Sequence, residues 1–344
     1  MFMAGNTNKS PKKLEEYAQS KPAQLSLFEL LLPEERPYSN TIELYDFIPK
    51  YHWGKVERIN GRFLESLERG FECRGRRYTV RVDPARLKDK DGVVRDYYPS
   101  QREELVEDAL RKLVCEGQGL FLDDEAGMTF TLYQLQQELK ARGHSYSIAQ
   151  LKDALFVCAQ TKIIVKSEDG SAVLVSSMFD TLGLQTREGW KGTGNKTRAF
   201  VRFNPLVTQS MRSMNFRQLN YARSMAFKSV IARQLHKRIS HHYTQASIFH
   251  PYQIMLSTIV RDFGLTAYEK LSNNLRDVKK ALDEMVERDV LLEYKANKVM
   301  DARKGNKLAD AKFTLTPHQR FTSDIMQANR RQTAIKKLPA VNTQ

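Results

Sequence analysis

The segment Tyr252–Leu315, YQIMLSTIVRDFGLTAYEKLSNNLRDVKKALDEMVERDVLLEYKANKVMDARKGNKLADAKFTL, decides the fold. Within it Leu271, Leu275, Val278, Leu282 and Met285 recur at i, i+4, i+7, i+11 and i+14, the spacing of one apolar stripe along a helix. Turning about 100° per residue sets Asn273, Arg276 and Lys280 opposite the stripe, with Glu284 and Glu287 opposite it nearer the C-terminus. Asn274 and Lys279 are counted with Asn273, Arg276 and Lys280 as candidate contacts. Upstream, Tyr252, Met255, Leu256, Ile259 and Phe263 have helical spacing behind Pro251, a favourable first-turn residue. Gly264 breaks that run, and Thr266 with Glu269 fits a capping box for the next helix. Downstream, Val290–Lys295 and Lys312–Leu315 read as strands enclosing a loop with Lys298, Arg303, Lys304 and Lys307. Short helix, turn, long helix and two strands around a basic loop is the order of a winged helix.

That polarity suits double-stranded DNA. A helix entering the major groove by its N-terminal end needs Arg and Asn to read base edges, whereas a carboxylate near phosphate is repelled. A basic loop between strands displaces condensed counterions from phosphate, as a DNA-contacting wing does. A solvated helix face of mixed charge is the plain alternative for this helix alone; the basic loop beside it favours DNA.

Composition bounds the rest. With 344 residues, 41% hydrophobic, the chain can bury two or three cores. A formal charge of +15 and a pI near 9.6 point to a polyanion without separating DNA from RNA or an anionic membrane. No apolar run approaches the roughly 20 residues of a membrane span, and residues 1–13 lack the apolar core of a signal peptide, so the expected location is the cytoplasm. Cys73, Cys115 and Cys158 are scattered and odd in number, which suggests neither a disulfide framework nor a zinc site.

Five stretches follow along the chain. Residues 1–37 read as a flexible arm carrying Gln24-Leu25-Ser26-Leu27-Phe28, which resembles the bacterial sliding-clamp-binding motif; the same apolar residues starting a buried helix is the alternative. Residues 38–182 read as a first winged-helix domain behind a hairpin at Phe71–Val82 that turns on Arg74-Gly75-Arg76-Arg77. Its helices begin at Arg102, at a Thr131/Gln134 capping box and at a Ser147/Gln150 capping box, and its strands at Lys162–Lys166 and Ala172–Ser176. Tyr133-Gln134-Leu135 is thereby matched to Tyr252-Gln253-Ile254. The third helix of this copy exposes Gln150, Asp153 and Val157 and its wing turn carries Glu168 and Asp169, so protein contacts are expected there more than DNA contacts. Residues 183–198, rich in glycine, read as a linker; 199–319 as the second winged-helix, DNA-binding domain, opened by a helix over Met225–His242 with Lys228, Arg233, Lys237 and Arg238 on its charged side; and 320–344 as a basic tail. The expected class is α+β and mostly helical, with tandem winged helices and a flexible N-terminal arm.

Phe203-Asn204-Pro205-Leu206-Val207-Thr208-Gln209-Ser210, Phe216-Arg217-Gln218-Leu219-Asn220-Tyr221, Leu235-His236-Lys237-Arg238 and Tyr243-Thr244-Gln245-Ala246 resemble the core of RepA-type plasmid replication initiators. The resemblance is clearest over Val201–Pro317 and weaker over Arg102–Ser177. It implies a protein that binds repeated sites at a plasmid origin, helps open the duplex and brings in the sliding clamp and host initiation or helicase-loading proteins, with a homodimer as one form. The origin-binding residues would be those of the second winged helix: Asn273, Asn274, Arg276, Lys279, Lys280, Lys298, Arg303, Lys304 and Lys307. A transcriptional regulator built on the same winged helices would bind DNA as well, and clamp binding is what separates the two.

Catalysis finds little support. Gly189–Thr197 looks like a phosphate-binding loop, yet Asn195 separates glycine from lysine, and a strand follows where that motif needs a helix. A rolling-circle nicking enzyme would need His-apolar-His for its metal and a tyrosine nucleophile, whereas His241 and His242 are adjacent, ahead of Tyr243. No metal, cofactor or catalytic set is expected.

Overall fold

The computed structural model describes residues 12–13, 38–88, 91–115, 119–122, 125–184, 198–213, 215–266, 268, 270–301 and 307–336. Among the described residues sixteen strands accompany ten helices, so the class is α+β but not mostly helical. Sequence periodicity under-counted strands because many are only four residues long.

The first unit opens with β1 (Lys12–Lys13), β2 (Tyr38–Thr41), α1 (Glu43–Phe47), β3 (Leu67–Cys73), β4 (Arg76–Asp83), β5 (Ala85–Lys88) and β6 (Val94–Tyr97). The β3–β4 hairpin turns on Arg74 and Gly75, both at positive φ (51° and 71°), the twist that matches flanking strands. Next come α2 (Gln101–Leu113), β7 (Gly119–Leu122), β8 (Glu125–Thr131), α3 (Leu132–Ala141), α4 (Ile148–Gln160), β9 (Lys162–Ser167), β10 (Val173–Ser177) and β11 (Phe179–Leu184). Both expected capping boxes close: Thr131 Oγ1 accepts from Gln134 N at 3.1 Å and Ser147 Oγ from Gln150 N at 3.2 Å. Val157, expected on the exposed face of α4, is buried at 1%.

The helix order of a winged helix is present here, but its sheet is not. β9 and β10 join β4 and β3 in a four-stranded sheet, while β8 lies between β7 and β12 (Arg198–Phe203) in a five-stranded one. The hairpin that would be a free wing is therefore fused by one edge to β4. Residues 185–197 lie outside the described residues. The strands on either side, β11 and β12, are antiparallel neighbours, so this stretch connects two strands of one sheet and does not join domains.

That pairing moves the domain boundary. Ala199, Val201 and Phe203 on β12, Val207 on α5 (Pro205–Arg212), Phe216, and Tyr221 and Met225 on α6 (Tyr221–Ala226) all belong to the first core. The second core begins at Phe227, not at 199. The expected helix over 225–242 is two: α6, then α7 (Val230–His242), whose N-cap Ser229 accepts from Ala232 N at 3.3 Å. β13 (Arg217–Asn220) pairs with β2 in a two-stranded ribbon, so Tyr38–Thr41 is fixed by a strand about 180 residues away in sequence, as the pair Tyr38–Asn220 shows.

The second unit packs α7, β14 (Tyr252–Met255), α8 (Leu256–Asp262), α9 (Leu271–Glu287), β15 (Leu291–Asp301), β16 (Lys307–Pro317) and α10 (Gln319–Lys336) around Leu235, Ile259, Val278, Leu282, Phe313 and Phe321. Its sheet order β14-β16-β15 is that of a winged helix. Tyr252–Met255 is strand where helical spacing predicted helix, because Ile254 bonds opposite Phe313 on β16. Thr131 and Met255 thus end equivalent strands, and the match of Tyr133 to Tyr252 fails: Tyr133 is on a helix and Tyr252 on a strand. The C-terminal stretch is helical over Gln319–Lys336. α10 buries Phe321, Ile325 and Ala328, and its Asp324 carboxylate receives Tyr38 Oη at 3.0 Å, Arg223 Nη1 at 2.5 Å and Asn220 Nδ2 at 3.2 Å. Residues 337–344 are outside the described set.

A buried ionic seam joins the units. Arg233 on α7, fully buried, meets Glu104 on α2 through Nε at 3.1 Å and Nη2 at 3.0 Å. Gln234 Nε2 donates to the other Glu104 oxygen at 2.7 Å, and Lys237 Nζ reaches Asp108 at 2.6 Å. Burial pushes the Glu104 carboxyl up, and Arg233 and Lys237 outweigh it to hold the group below the usual carboxylate range. Two of the cations expected to charge an outer helix face therefore hold the molecule together. A second contact between the units is made by Trp53, whose Nε1 donates to Phe263 O at 2.7 Å.

Candidate nucleic-acid interface

The long helix α9 buries Leu275, Val278, Ala281, Leu282 and Met285, as its stripe requires. Arg276 and Lys280 are exposed on the other side, and Asn273 and Lys279 are half-buried beside them. Arg276 Nε lies 3.1 Å from Asp277 Oδ1 in a pair that is 60% and 30% exposed. An exposed pair of this kind is worth little, so the guanidinium is available to another acceptor.

Asn274 does not belong with them. It is 3% exposed, accepts from Tyr268 N at 3.1 Å and donates to Thr266 O at 2.9 Å. Its amide thus fixes the turn that delivers α9, where a Thr266/Glu269 capping box was expected; Lys270 is the N-cap, with no side-chain cap bond, and Glu269 is outside the described residues. The position is legible in hindsight, since 274 falls at i+3 from Leu271 and i−4 from Val278, on the stripe itself. Glu284 is also committed inward: its oxygens accept from Lys228 N at 2.6 Å and Ser229 N at 2.9 Å, tying α9 to the start of α7.

The wing is longer than expected, with eleven residues in each of β15 and β16. Lys298 and Lys307 are exposed near its tip; Arg303 and Lys304 lie outside the described residues, as does the whole of Gln24, Leu25, Ser26, Leu27 and Phe28. Strand alternation adds cations that the loop-centred reading missed. Lys295 and Asn297 project to the outer face of β15, Asn297 directly opposite Lys312 on β16, and all three are exposed. Three hydrogen bonds brace the wing against the helices: Tyr294 Oη donates to Asp283 on α9 at 2.7 Å, and Asp310 accepts from Ser257 N and Oγ at the start of α8 at 3.0 and 2.6 Å. The helix α9 and the β15–β16 hairpin are thus one braced surface, cationic towards the α9 N-terminus and the far end of the hairpin.

Replacing Lys298 with Ala is expected to weaken binding to any duplex alike and to flatten the slope of log affinity against log salt by about one, as loss of one phosphate contact does. Titration of a fixed duplex at several salt concentrations reads this directly.

The residues weighed for strand cleavage sit in structural positions. His236 is buried and half-buried His241 lies on the same helix; desolvation pushes the pKa of each down to about 3, so both are neutral at pH 7. Tyr243 Oη lies 2.8 and 2.5 Å from the carbonyl oxygens of Ser247 and His250, closing the loop after α7. Among the described residues no group of three or more His, Cys, Asp or Glu side chains could hold a metal ion, and no helix is long and apolar enough to cross a membrane.

No protein-family model and no curated protein matches the sequence. Solved structures similar to the chain include domains 2 and 3 of RctB, at TM-score 0.46 and 10% identity over 79% of this chain and 97% of that one. A selenomethionine structure of the same RctB domains matches at 0.45 and 11% over 76% and 94%. The Pi initiator protein in complex with iteron DNA matches at 0.43 and 14% over 63% and 91%.

Proposed function

We propose that this chain is a plasmid replication initiator of the RepA type, which binds repeated sites on double-stranded origin DNA through its second unit. The observation that carries the proposal is the braced surface of α9 and wing, with Arg276 and Lys280 exposed on the helix and Lys295, Lys298, Lys307 and Lys312 on the strands. On this reading the α9 N-terminal half enters the major groove, where Arg276 with Asn273 and Lys280 selects bases, while the wing lysines hold phosphates. Origin opening would follow from strain placed on the bound duplex, and recruitment of the sliding clamp and host helicase-loading proteins from the N-terminal arm. The first unit would position the second and meet protein partners. No bond chemistry is assigned to the chain.

Footprinting of the full chain on DNA flanking its own gene tests this. Protection of a set of short direct repeats is the expected result, and indifference to that DNA at low salt sinks the proposal. Within it, Arg276→Ala should cost about 1 to 3 kcal/mol on the protected repeat and little on random duplex. An equal loss on both would reassign Arg276 to phosphate.

A further inference from the structure

The β3–β4 hairpin runs past the core it helps to build. Along β4 the inward positions are Val82, Val80, Tyr78 and Arg76: the two valines are buried, Tyr78 is half-buried and Arg76 is exposed. The inner face of the sheet therefore ends on an arginine. Opposite it stands α5, where Leu206, Gln209, Ser210 and the C-cap Ser213 fall at i, i+3, i+4 and i+7 and so share one side. Between the two, at the start of α1, lies a cleft of about 520 Å³.

Small-molecule sites hold roughly 300 to 1,000 Å³ and set a few converging polar groups among apolar ones. This cleft has that make-up. Ile42, Leu44 and Leu206 give it apolar surface, and the Gln209 and Asn215 amides with the Ser210 hydroxyl give it donors and acceptors. Tyr78 is held against Phe71 with ring centroids 5.3 Å apart, so that wall is preformed.

Two guanidinium groups stand on the hairpin side. Arg76 makes no hydrogen bond or ion pair with any described residue. Asp169, close enough to feel its charge, bonds Ser171 N and Oγ instead, at 3.0 and 2.7 Å. Arg74 engages Glu43 through Nε, and no described residue takes its Nη groups. It does so from φ 51°, a turn position that glycine, asparagine or aspartate fills with less strain. Residues kept in such conformations cluster where ligands are clamped.

We propose that this cleft binds a nucleoside phosphate, with its phosphates on Arg74 and Arg76 and its base against Leu44 and Leu206. A guanidinium takes phosphate oxygens two at a time, which suits an arginine that has no partner within the chain. Phosphate alone would leave most of the volume and the apolar surface unused, and a duplex is too wide to enter. The proposal does not rest on the DNA-binding reading above.

Isothermal titration calorimetry of the full chain with ATP, ADP, adenosine and inorganic phosphate tests it. One nucleotide per chain is expected, with adenosine and phosphate each weaker by about tenfold or more. A chain of net charge +15 attracts any polyanion, so the decisive comparison is between neighbouring charges. Arg76→Gln should lower ATP affinity about 10- to 100-fold, the loss of one charge-assisted contact, and Arg76→Lys should restore part of it. Arg77→Gln, which removes the same charge from the outer face of the same strand, should stay within about twofold of wild type. Arg76 and Arg77 are both exposed, and unchanged circular dichroism checks that the variants keep the fold. A wild-type chain that shows no saturable binding of either nucleotide, or equal losses in Arg76→Gln and Arg77→Gln, overturns the site. Inorganic phosphate binding as tightly as ATP overturns its assignment to a nucleotide.

Discussion

Glu104→Ala is expected to destabilise the protein by about 3 to 5 kcal/mol, the range for removing one partner of a buried ion pair. The cause is what remains. Arg233 is fully buried, and of its contacts only those to the Phe227 and Lys228 carbonyls would survive, at 2.8 and 3.4 Å. A guanidinium left without its carboxylate in that setting has lost its water and gained no counter-charge. Gln234 and Lys237 lose an acceptor at the same time. Urea unfolding followed by circular dichroism measures the effect, and a change under about 1 kcal/mol would show that the seam is not under tension. Adding Arg233→Met should recover part of the loss, because the double change removes the orphan charge along with its partner. The pH dependence has a definite sign. Glu104 has its folded pKa below the unfolded value, so its contribution is present above the ordinary carboxylate range and is lost as pH falls through the folded pKa.

Gly264→Ala is the second large effect, expected at about 2 to 4 kcal/mol from two causes that add. Gly264 has φ +62°, a left-handed conformation that alanine adopts only with strain. A Cβ there would also stand 2.7 Å from Arg69 Nη1. Arg69 cannot swing away freely, because Nη1 donates to Pro49 O at 2.7 Å and Tyr51 O at 2.6 Å, and burial has already drawn its pKa down to about 10. Displacing it would open the contact between the first unit and the end of α8. Thermal unfolding reads the stability loss.

Much of the second unit could be read from residue order. The stripe of α9 fixed which of its residues face solvent, and the basic run between two strand-like segments announced the wing. Asn274 escaped because a polar side chain was assumed to point outwards; its partners are backbone groups of a turn, which leave no mark on periodicity. The Thr131 and Ser147 caps were legible since a capping box is a bond between residues three apart. Neither Gln24–Phe28 nor Arg303 and Lys304 is among the described residues.

The seam was not legible. Arg233 and Lys237 look like any cations on an amphipathic helix, and their partners Glu104 and Asp108 lie more than 120 residues away, as the Arg233–Glu104 pair shows. The stretches that most resemble replication initiators fall largely on this seam and its neighbours: Arg217 bonds Ser240 O and Asn329, Asn220 bonds Asp324, and Lys237 bonds Asp108. By itself the sequence determined most of the local elements, the basic character and the apolar side of α9, because helical periodicity, caps and charge depend on neighbours along the chain. Only the tertiary structure decided where one unit ends, which strand completes which sheet, and which cations are spent on holding the units together, because those outcomes depend on desolvation between segments far apart in the chain.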